Sequence, residues 1–294
     1  MKLSIGTAQF GMDYGITSTI GPVNIKEIKE VFSFALEHKI ISLDTAYSYG
    51  DSEYKIGQCI GKDKRIRITT KLPSLPAIDP VHSATIYFQE SLDRLATSSV
   101  DTLLVHNPSN LKGKHPSSIL DWMKNLRSNG IINNIGISIY DHSDLSGINL
   151  DDIDIIQLPL SLYDQRNYKD MLISNLKSEG KYIVTRSSFL QGLILTEAEK
   201  WPTFLSRSFI THHHNFLNLI QKMTIQNPLF YALDFISRIN EVDQIVVGIH
   251  SLDHLREIYN YYSMIEKSCA SRIDYSTLAW DNMYDIDPRF WRST

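Results

Sequence analysis

Cysteine is scarce in this chain. Cys59 and Cys269 stand far apart and match no metal-ligand or redox spacing, so both read as reduced structural thiols of a cytoplasmic protein. Long apolar runs are absent: nothing approaches the roughly 18 residues that a membrane span requires. The start, Met1 to Gly6, lacks an apolar signal core and soon meets Gln9 and Asp13, so no secretory signal is expected. Neither charge dominates. Lys and Arg number 29 against 33 Asp and Glu, for a net charge of −4. Without a basic tract, nucleic acid and anionic membranes are not expected partners. There is no low-complexity segment, no flexible linker and no evident domain boundary.

What is present is an alternation. Short β-rich runs are followed by longer stretches with helical spacing. The strands are expected at Leu3–Thr7, Ile41–Thr45, Arg67–Lys71, Thr102–His106, Asn134–Ser138, Ile153–Leu158, Tyr182–Arg186 and Gln244–Ile249. Helices are expected near Ile25–His38, Ser52–Ile60, Ser83–Ala96, Pro116–Ser128, Lys169–Ser178, Pro228–Arg238 and Leu252–Ile265, with a weak one after Asp144. Asp51 and Ser52 suit a helix start, and Asn227-Pro228 another. Such βα units imply a parallel sheet. An open doubly wound sheet would carry a glycine-rich phosphate turn after its first strand. Here Gly6-Thr7-Ala8-Gln9-Phe10-Gly11 does not fit that pattern. A closed (β/α)8 barrel takes about 250 residues, and the 294 residues supply one such domain plus a tail over about 268–294. Longer loops are expected at Asn107–His115 and at roughly Ser187–Ser208.

Asp44, Lys71 and His106 close three successive strands, and Tyr49 follows Asp44 by five residues. Loops at the carboxyl ends of barrel strands build active sites. Each residue alone is ordinary, as a cap, a packing ring or a solvated cation, but together they form a proton-handling set. Tyr49 can protonate a carbonyl oxygen as hydride reaches its carbon. Lys71 would lower the phenol pKa, Asp44 would keep Lys71 charged, and His106 can hydrogen-bond the same oxygen. A Schiff-base lyase using Lys71 is a competing function, but it needs a neutral lysine, which Asp44 opposes.

Several segments resemble the aldo-keto reductases over almost the whole chain. Asp44-Thr45-Ala46-Tyr47-Ser48-Tyr49-Gly50-Asp51-Ser52-Glu53 is similar to that family's signature. Thr70-Lys71-Leu72-Pro73 and Leu104-Val105-His106-Asn107-Pro108 resemble its lysine and histidine segments. Asn134-Ile135-Gly136-Ile137-Ser138 resembles its fifth strand, Gln157 matches a position on its sixth, and Asp287-Pro288-Arg289-Phe290-Trp291 resembles a C-terminal pattern of some members. The resemblance implies a barrel that binds NADP(H) without a Rossmann domain and needs no metal. Asp44, Tyr49, Lys71 and His106 carry over as catalytic groups. Ser138 and Gln157 would hold the nicotinamide amide, with Gly6, Thr7 and Asp44 also on the cofactor side. Segment 6–15 is similar to a bacterial subgroup associated with sugar and surface-polysaccharide metabolism.

Four departures qualify the resemblance. Ile139 follows Ser138 where Asn is frequent. Arg186, followed by Ser187, stands where many members stack a tyrosine on the nicotinamide; it either stacks in that place or is a surface arginine. The N-terminal hairpin is missing or very short. In the region that binds the 2′-phosphate and adenine, Gly248, His250 and His254 replace the usual cations, and Arg256 faces elsewhere on its helix. NADPH is the expected cofactor and NADH an alternative, because neutral imidazole is the weaker phosphate partner. Glu257 either meets the adenine amino group or is an exposed helix residue. Phe10, Tyr47, Asn107 and Tyr140 follow strand ends and are candidates to line the substrate pocket. Trp280, Tyr284, Phe290 and Trp291 in the tail either close the mouth or pack outside. His212-His213-His214 lacks partner ligands and is expected in a solvated loop. The expected activity is reduction of an aldehyde, ketone or sugar carbonyl by a monomer. The alternative is a catalytically silent NADPH-binding sensor.

Overall fold

The computed structural model describes residues 2–17, 21–60, 63, 65–112, 116–267 and 273–291. Cys269 lies outside them, as do residues 113–115 of the fourth loop. Eight parallel strands close a barrel in sequence order: β1 (Leu3–Gly6), β2 (Ser42–Asp44), β3 (Arg67–Leu72), β4 (Val100–Val105), β5 (Ile132–Ser138), β6 (Ile155–Pro159), β7 (Tyr182–Arg186) and β8 (Gln244–Gly248). β1 pairs with both β2 and β8, in the register Gly6 to Asp44 and Gly6 to Gly248. All eight strands fall where the β-rich runs put them.

Strand alternation sorts the side chains into two faces. Ile5, Leu43, Leu103, Ile135, Ile156, Ile183 and Val247 belong to the large core under the helices. Leu104, Ile155, Val184 and Val246 form a small separate cluster on the barrel's inner face. The rest of that inner face is polar. Ser4 and Gln244 both donate to Ser42, at 3.3 and 2.9 Å. Ser42, Thr69, Thr102, Asn134 and Gln244 line an interior cavity of about 250 Å3 that reaches Asp44 and Gln157.

The longer helices are α1 (Ile25–Glu37), α2 (Ser52–Ile60), α3 (Pro80–Arg94), α4 (Pro116–Ser128), α5 (Leu172–Ser178), α6 (Arg207–Ile220), α7 (Pro228–Ser237) and α8 (Leu252–Lys267). α3 starts earlier than its apolar spacing indicates, because Asp79 caps it through His82 N at 3.2 Å and Pro80 fits its first turn. Ser52 does not cap α2 with its side chain. It is buried and donates to the Thr7 carbonyl at 2.9 Å. After β5 only a 3-10 turn forms, His142–Leu145, begun by Asp141. Among the described residues, no helix is long and apolar enough to cross a membrane.

α6 corrects the expected solvated loop around the three histidines. Ser206 caps it, and Phe209, His213, Phe216 and Ile220 form its buried stripe. Histidine at one stripe position hid the helical period. The three imidazoles diverge: His212 meets the Leu278 carbonyl, His214 faces Glu199, and His213 is fully buried. The Thr196 carbonyl can only accept, so His213 Nε2 donates to it at 3.1 Å and Nδ1 accepts from the Tyr163 hydroxyl at 2.6 Å. The tail aromatics mostly pack outside. Trp280 stacks on Phe209 of α6, and Tyr284 and Phe290 are exposed and touch one another.

Burial lowers the His213 pKa to about 4. Below its ordinary pKa the unfolded chain gains a proton that the folded chain refuses, so its contribution is full above about pH 6.5 and lost as pH falls towards 4. Urea unfolding at pH 7 and pH 4 should therefore show a loss that is smaller in His213→Gln by roughly 3 kcal/mol. An unchanged difference would mean that the imidazole is not held neutral.

Candidate active site

The site is assembled by close backbone contact behind the β2 loop. A Cβ on Gly11 would lie 1.9 Å from the Tyr49 carbonyl, and one on Gly50 would lie 2.3 Å from the Gly11 carbonyl. Gly50 also has φ +54, which glycine adopts without strain. Two glycines thus let the β1 and β2 loops touch. Ser52, bonded to Thr7 and Thr45 at 2.9 and 3.1 Å, ties them together. Glu53 is buried below and accepts from Thr70 at 2.6 Å. Most of the signature segment is therefore scaffold that aims Tyr49.

Asp44 is the hub. Lys71 Nζ donates to Asp44 Oδ1 at 2.5 Å and to the Thr45 carbonyl at 2.8 Å. Gln157 Nε2 donates to Asp44 Oδ2 at 2.6 Å, and Ser138 Oγ donates to Gln157 Oε1 at 3.3 Å. Lys71 and Asp44 are both buried. The ammonium lies 5.0 Å from the Tyr49 ring centroid, and the His106 ring meets Tyr49 edge-on at 6.1 Å. The four residues expected to act together do come together, on one mouth of the barrel.

Electrostatics differ from expectation at the phenol. Burial, then the Asp44 charge, push the Tyr49 pKa above its ordinary value, although Arg186 opposes them. The resting group is a firmly protonated phenol and not an activated one. Burial also lowers the Lys71 pKa, with Asp44 opposing. His106 is lowered to about 3 by burial and by the cations Lys71 and Arg186, so its imidazole is neutral at physiological pH.

A cavity of about 340 Å3 opens beside these groups. Asp44, Tyr49, Gly6, Thr7, Arg186, Ser187, Gly248, His250 and His254 line it. Lys71, Ser138 and Gln157 lie behind it through the Asp44 bonds. Tyr14, Gln9, Gln191 and Thr196 also line it; sequence reasoning assigned none of them a role, although Gln9 and Tyr14 lie in the noted 6–15 segment. Thr196 Oγ1 donates to the Gly192 carbonyl at 2.9 Å and is hydrogen-bonded to Thr17 Oγ1 at 3.2 Å, joining the β7 and β1 loops across the cavity.

Other candidates sit apart from it. Phe10 is fully buried against Phe32. Tyr47 donates to Glu90 at 2.7 Å under the Arg94 guanidinium and lines a separate surface hollow. Asn107 caps the turn Pro108–Leu111 and donates to Ser74 at 3.1 Å. Glu257 is exposed on α8 and accepts from Asn227 at 2.9 Å. Tyr140 lies between the Arg186 and Arg289 guanidiniums, 4.3 and 4.1 Å from its centroid.

The donor set suits a nicotinamide dinucleotide. Cβ atoms on Gly6 and Gly248 would meet Val246 at 2.9 Å and Gln9 at 2.6 Å, so glycine at both strand ends lets these side chains pack against the cavity wall. Gln9 Oε1 is buried without a hydrogen-bond partner, an acceptor free for a ligand. His250 and His254 stack with centroids 5.9 Å apart at the far end, and burial lowers both pKa values, His254 to about 4.

A closed parallel barrel with its polar groups gathered at the carboxyl ends of the strands has the architecture of a barrel enzyme. The chain belongs to the aldo/keto reductase family, whose profile matches residues 2–274. Aldo-keto reductases of Mycolicibacterium paratuberculosis and Mycobacterium avium are each 35% identical to it over 108 residues, covering 35% of this chain and 36% of theirs. The match thus spans about a third of those relatives' length. The fold is similar to that of an aldo-keto reductase from Bacillus halodurans in its holo form, with TM-score 0.71, 18% identity and coverage of 97% of this chain and 95% of that one. It is also similar to a glycerol dehydrogenase from Gluconobacter oxydans, with TM-score 0.69, 16% identity and coverage of 100% and 94%.

Removing one charge of the hub leaves the other buried and unpaired. Asp44→Asn should cost about 3–5 kcal/mol in urea unfolding at pH 7. Adding Lys71→Met should recover part of that loss. A double variant no more stable than the single one would show that the pair's charge is not what matters.

Proposed function

We propose that the protein is an NAD(P)H-dependent oxidoreductase that reduces an aldehyde, ketone or sugar carbonyl to an alcohol, with Tyr49 as general acid. One observation carries this: Asp44 binds Lys71 and Gln157 at once, directly behind Tyr49 and at the edge of the cavity of about 340 Å3. Family membership supports the same chemistry. Gly6, Thr7, Ser187 and Gly248 would flank the cofactor, Ser138 and Gln157 would hold its nicotinamide amide, and His250 and His254 would meet its adenosine end. When bound, the reduced nicotinamide supplies the hydride.

The protein's own groups handle the proton. Neutral His106 donates a hydrogen bond to the carbonyl oxygen and orients it. Tyr49 then gives its proton to that oxygen as negative charge develops there. The Lys71 ammonium stabilises the phenolate left behind, and Asp44 keeps Lys71 charged against the cost of burial. A phenol with a raised pKa is a poor acid at rest, so transfer waits until the oxygen becomes basic.

Tyr49→Phe removes the proton and little else. It should retain NADPH binding in a tryptophan-fluorescence titration and lose at least about a hundredfold in carbonyl-dependent NADPH oxidation. Retained turnover sinks the assignment. Cofactor choice has its own test. With imidazoles in place of lysine or arginine, a bound 2′-phosphate favours their protonated form, so binding takes up a proton. NADPH affinity should rise as pH falls from 8 to 6 while NADH affinity barely moves. A flat NADPH profile would remove the histidines from 2′-phosphate recognition.

A further inference from the structure

Among the described residues, Arg186 has no acidic partner. Its guanidinium donates to the Ile139 carbonyl at 3.1 Å and to Ser187 Oγ at 3.3 Å, both neutral dipoles, and most of its N–H donors are left for the cavity it lines. The neighbouring cation is treated differently. Arg289 covers the other face of Tyr140 and is neutralised by Asp141, Asp144 and Asp287. Asp287 also pairs with Arg166, which holds Asp164 as well. In the outer ring four carboxylates face two guanidiniums, whereas Arg186 on the inner wall has no carboxylate among the described residues.

The charges that line the cavity, together with Lys71 and His106 next to Tyr49, can be summed. Asp44 and Lys71 cancel in their ion pair. His106, His250 and His254 are neutral at physiological pH because burial lowers all three. Tyr14 and Tyr49 remain protonated. Of the described groups Arg186 alone is left, a fixed positive charge beside the general acid. A partly desolvated cation without a counter-ion is costly, and an incoming anion that forms charge-assisted hydrogen bonds to it removes the cost.

We propose that the carbonyl substrate is an anion whose carboxylate or phosphate group is held by Arg186. This rests on the reductase reading above and narrows its substrate class to keto acids, uronic acids or phosphorylated sugars. Arg186 is then a specificity-determining residue, and its stacking on Tyr140 fixes the plane in which its donors point.

Paired substrates test it: glucuronate against glucose, glyceraldehyde 3-phosphate against glyceraldehyde, and succinate semialdehyde against butyraldehyde. The first and third pairs report on a carboxylate, and the second on a phosphate. In the wild type, kcat/KM should favour the anionic member of at least one pair by about tenfold or more, mainly through KM, and added salt should shrink the ratio. Arg186→Gln should erase the preference and Arg186→Lys should restore part of it. Equal kcat/KM within every pair overturns the inference and leaves the reductase intact. So does an Arg186→Gln variant that loses NADPH affinity by fluorescence titration while its anionic-to-neutral ratio stays unchanged, since the arginine then serves the cofactor. Turnover of no carbonyl sinks the reductase reading, and binding then decides the anion site alone. Protein with saturating NADPH should bind benzoate more tightly than benzamide, and equal affinity overturns the proposal.

Discussion

Everything at the barrel mouth depends on one buried carboxylate. Asp44 ends a three-residue strand and accepts from Lys71 on β3 and from Gln157 on β6. A buried ion pair gives little net stability, because desolvation offsets most of its Coulombic gain. What it provides is position. With one oxygen on Lys71 and the other on Gln157, the carboxylate ties near and far sides of the barrel across its axis and holds the ammonium under the Tyr49 ring. Losing either contact would leave a buried charge or amide unsatisfied, so the arrangement is strongly determined once the barrel closes.

That hub sits between two cavities of different character. Asp44 lines both the mouth cavity and the interior cavity below it. The interior wall is polar to an unusual degree for this architecture, whose barrels are mostly filled with branched aliphatic side chains. Here Ser42, Thr69, Thr102, Asn134 and Gln244 occupy such positions. A polar space of this size has room for several waters. Above it the balance reverses. Burial keeps three imidazoles neutral and two phenols protonated, so among the described residues the mouth presents Arg186 as its one uncompensated charge.

Much of the fold was legible because its signal is local. Strand runs such as Thr102–His106 and Gln244–Ile249 are short and rich in β-branched and aliphatic residues, and glycine or proline punctuates the helices between them. The meeting of Asp44, Tyr49, Lys71 and His106 was legible too, because each stands at a strand end or just after it and a barrel gathers strand ends. Less visible were features that depend on what packs where. α6 was missed because buried His213 interrupts an apolar stripe, and only its bonds to Tyr163 and Thr196 make burial tolerable. Phe10 and Tyr47 read as pocket residues from their place after strands. The loops turn them away, Phe10 into the core and Tyr47 onto Glu90. Tyr14 was passed over for the opposite reason: the loop after β1 folds back over the mouth through contacts made in space.

By itself the sequence determined the number and order of the strands and the closed barrel they form. These follow from periodicities and side-chain chemistry that act over a few neighbouring residues. Only the tertiary structure decided the direction of the pKa shifts, the sharing of Asp44 between Lys71 and Gln157, and the isolation of Arg186 while Arg289 is neutralised. Those properties belong to burial and to distances between residues far apart in the chain, and neither quantity exists until the barrel has closed.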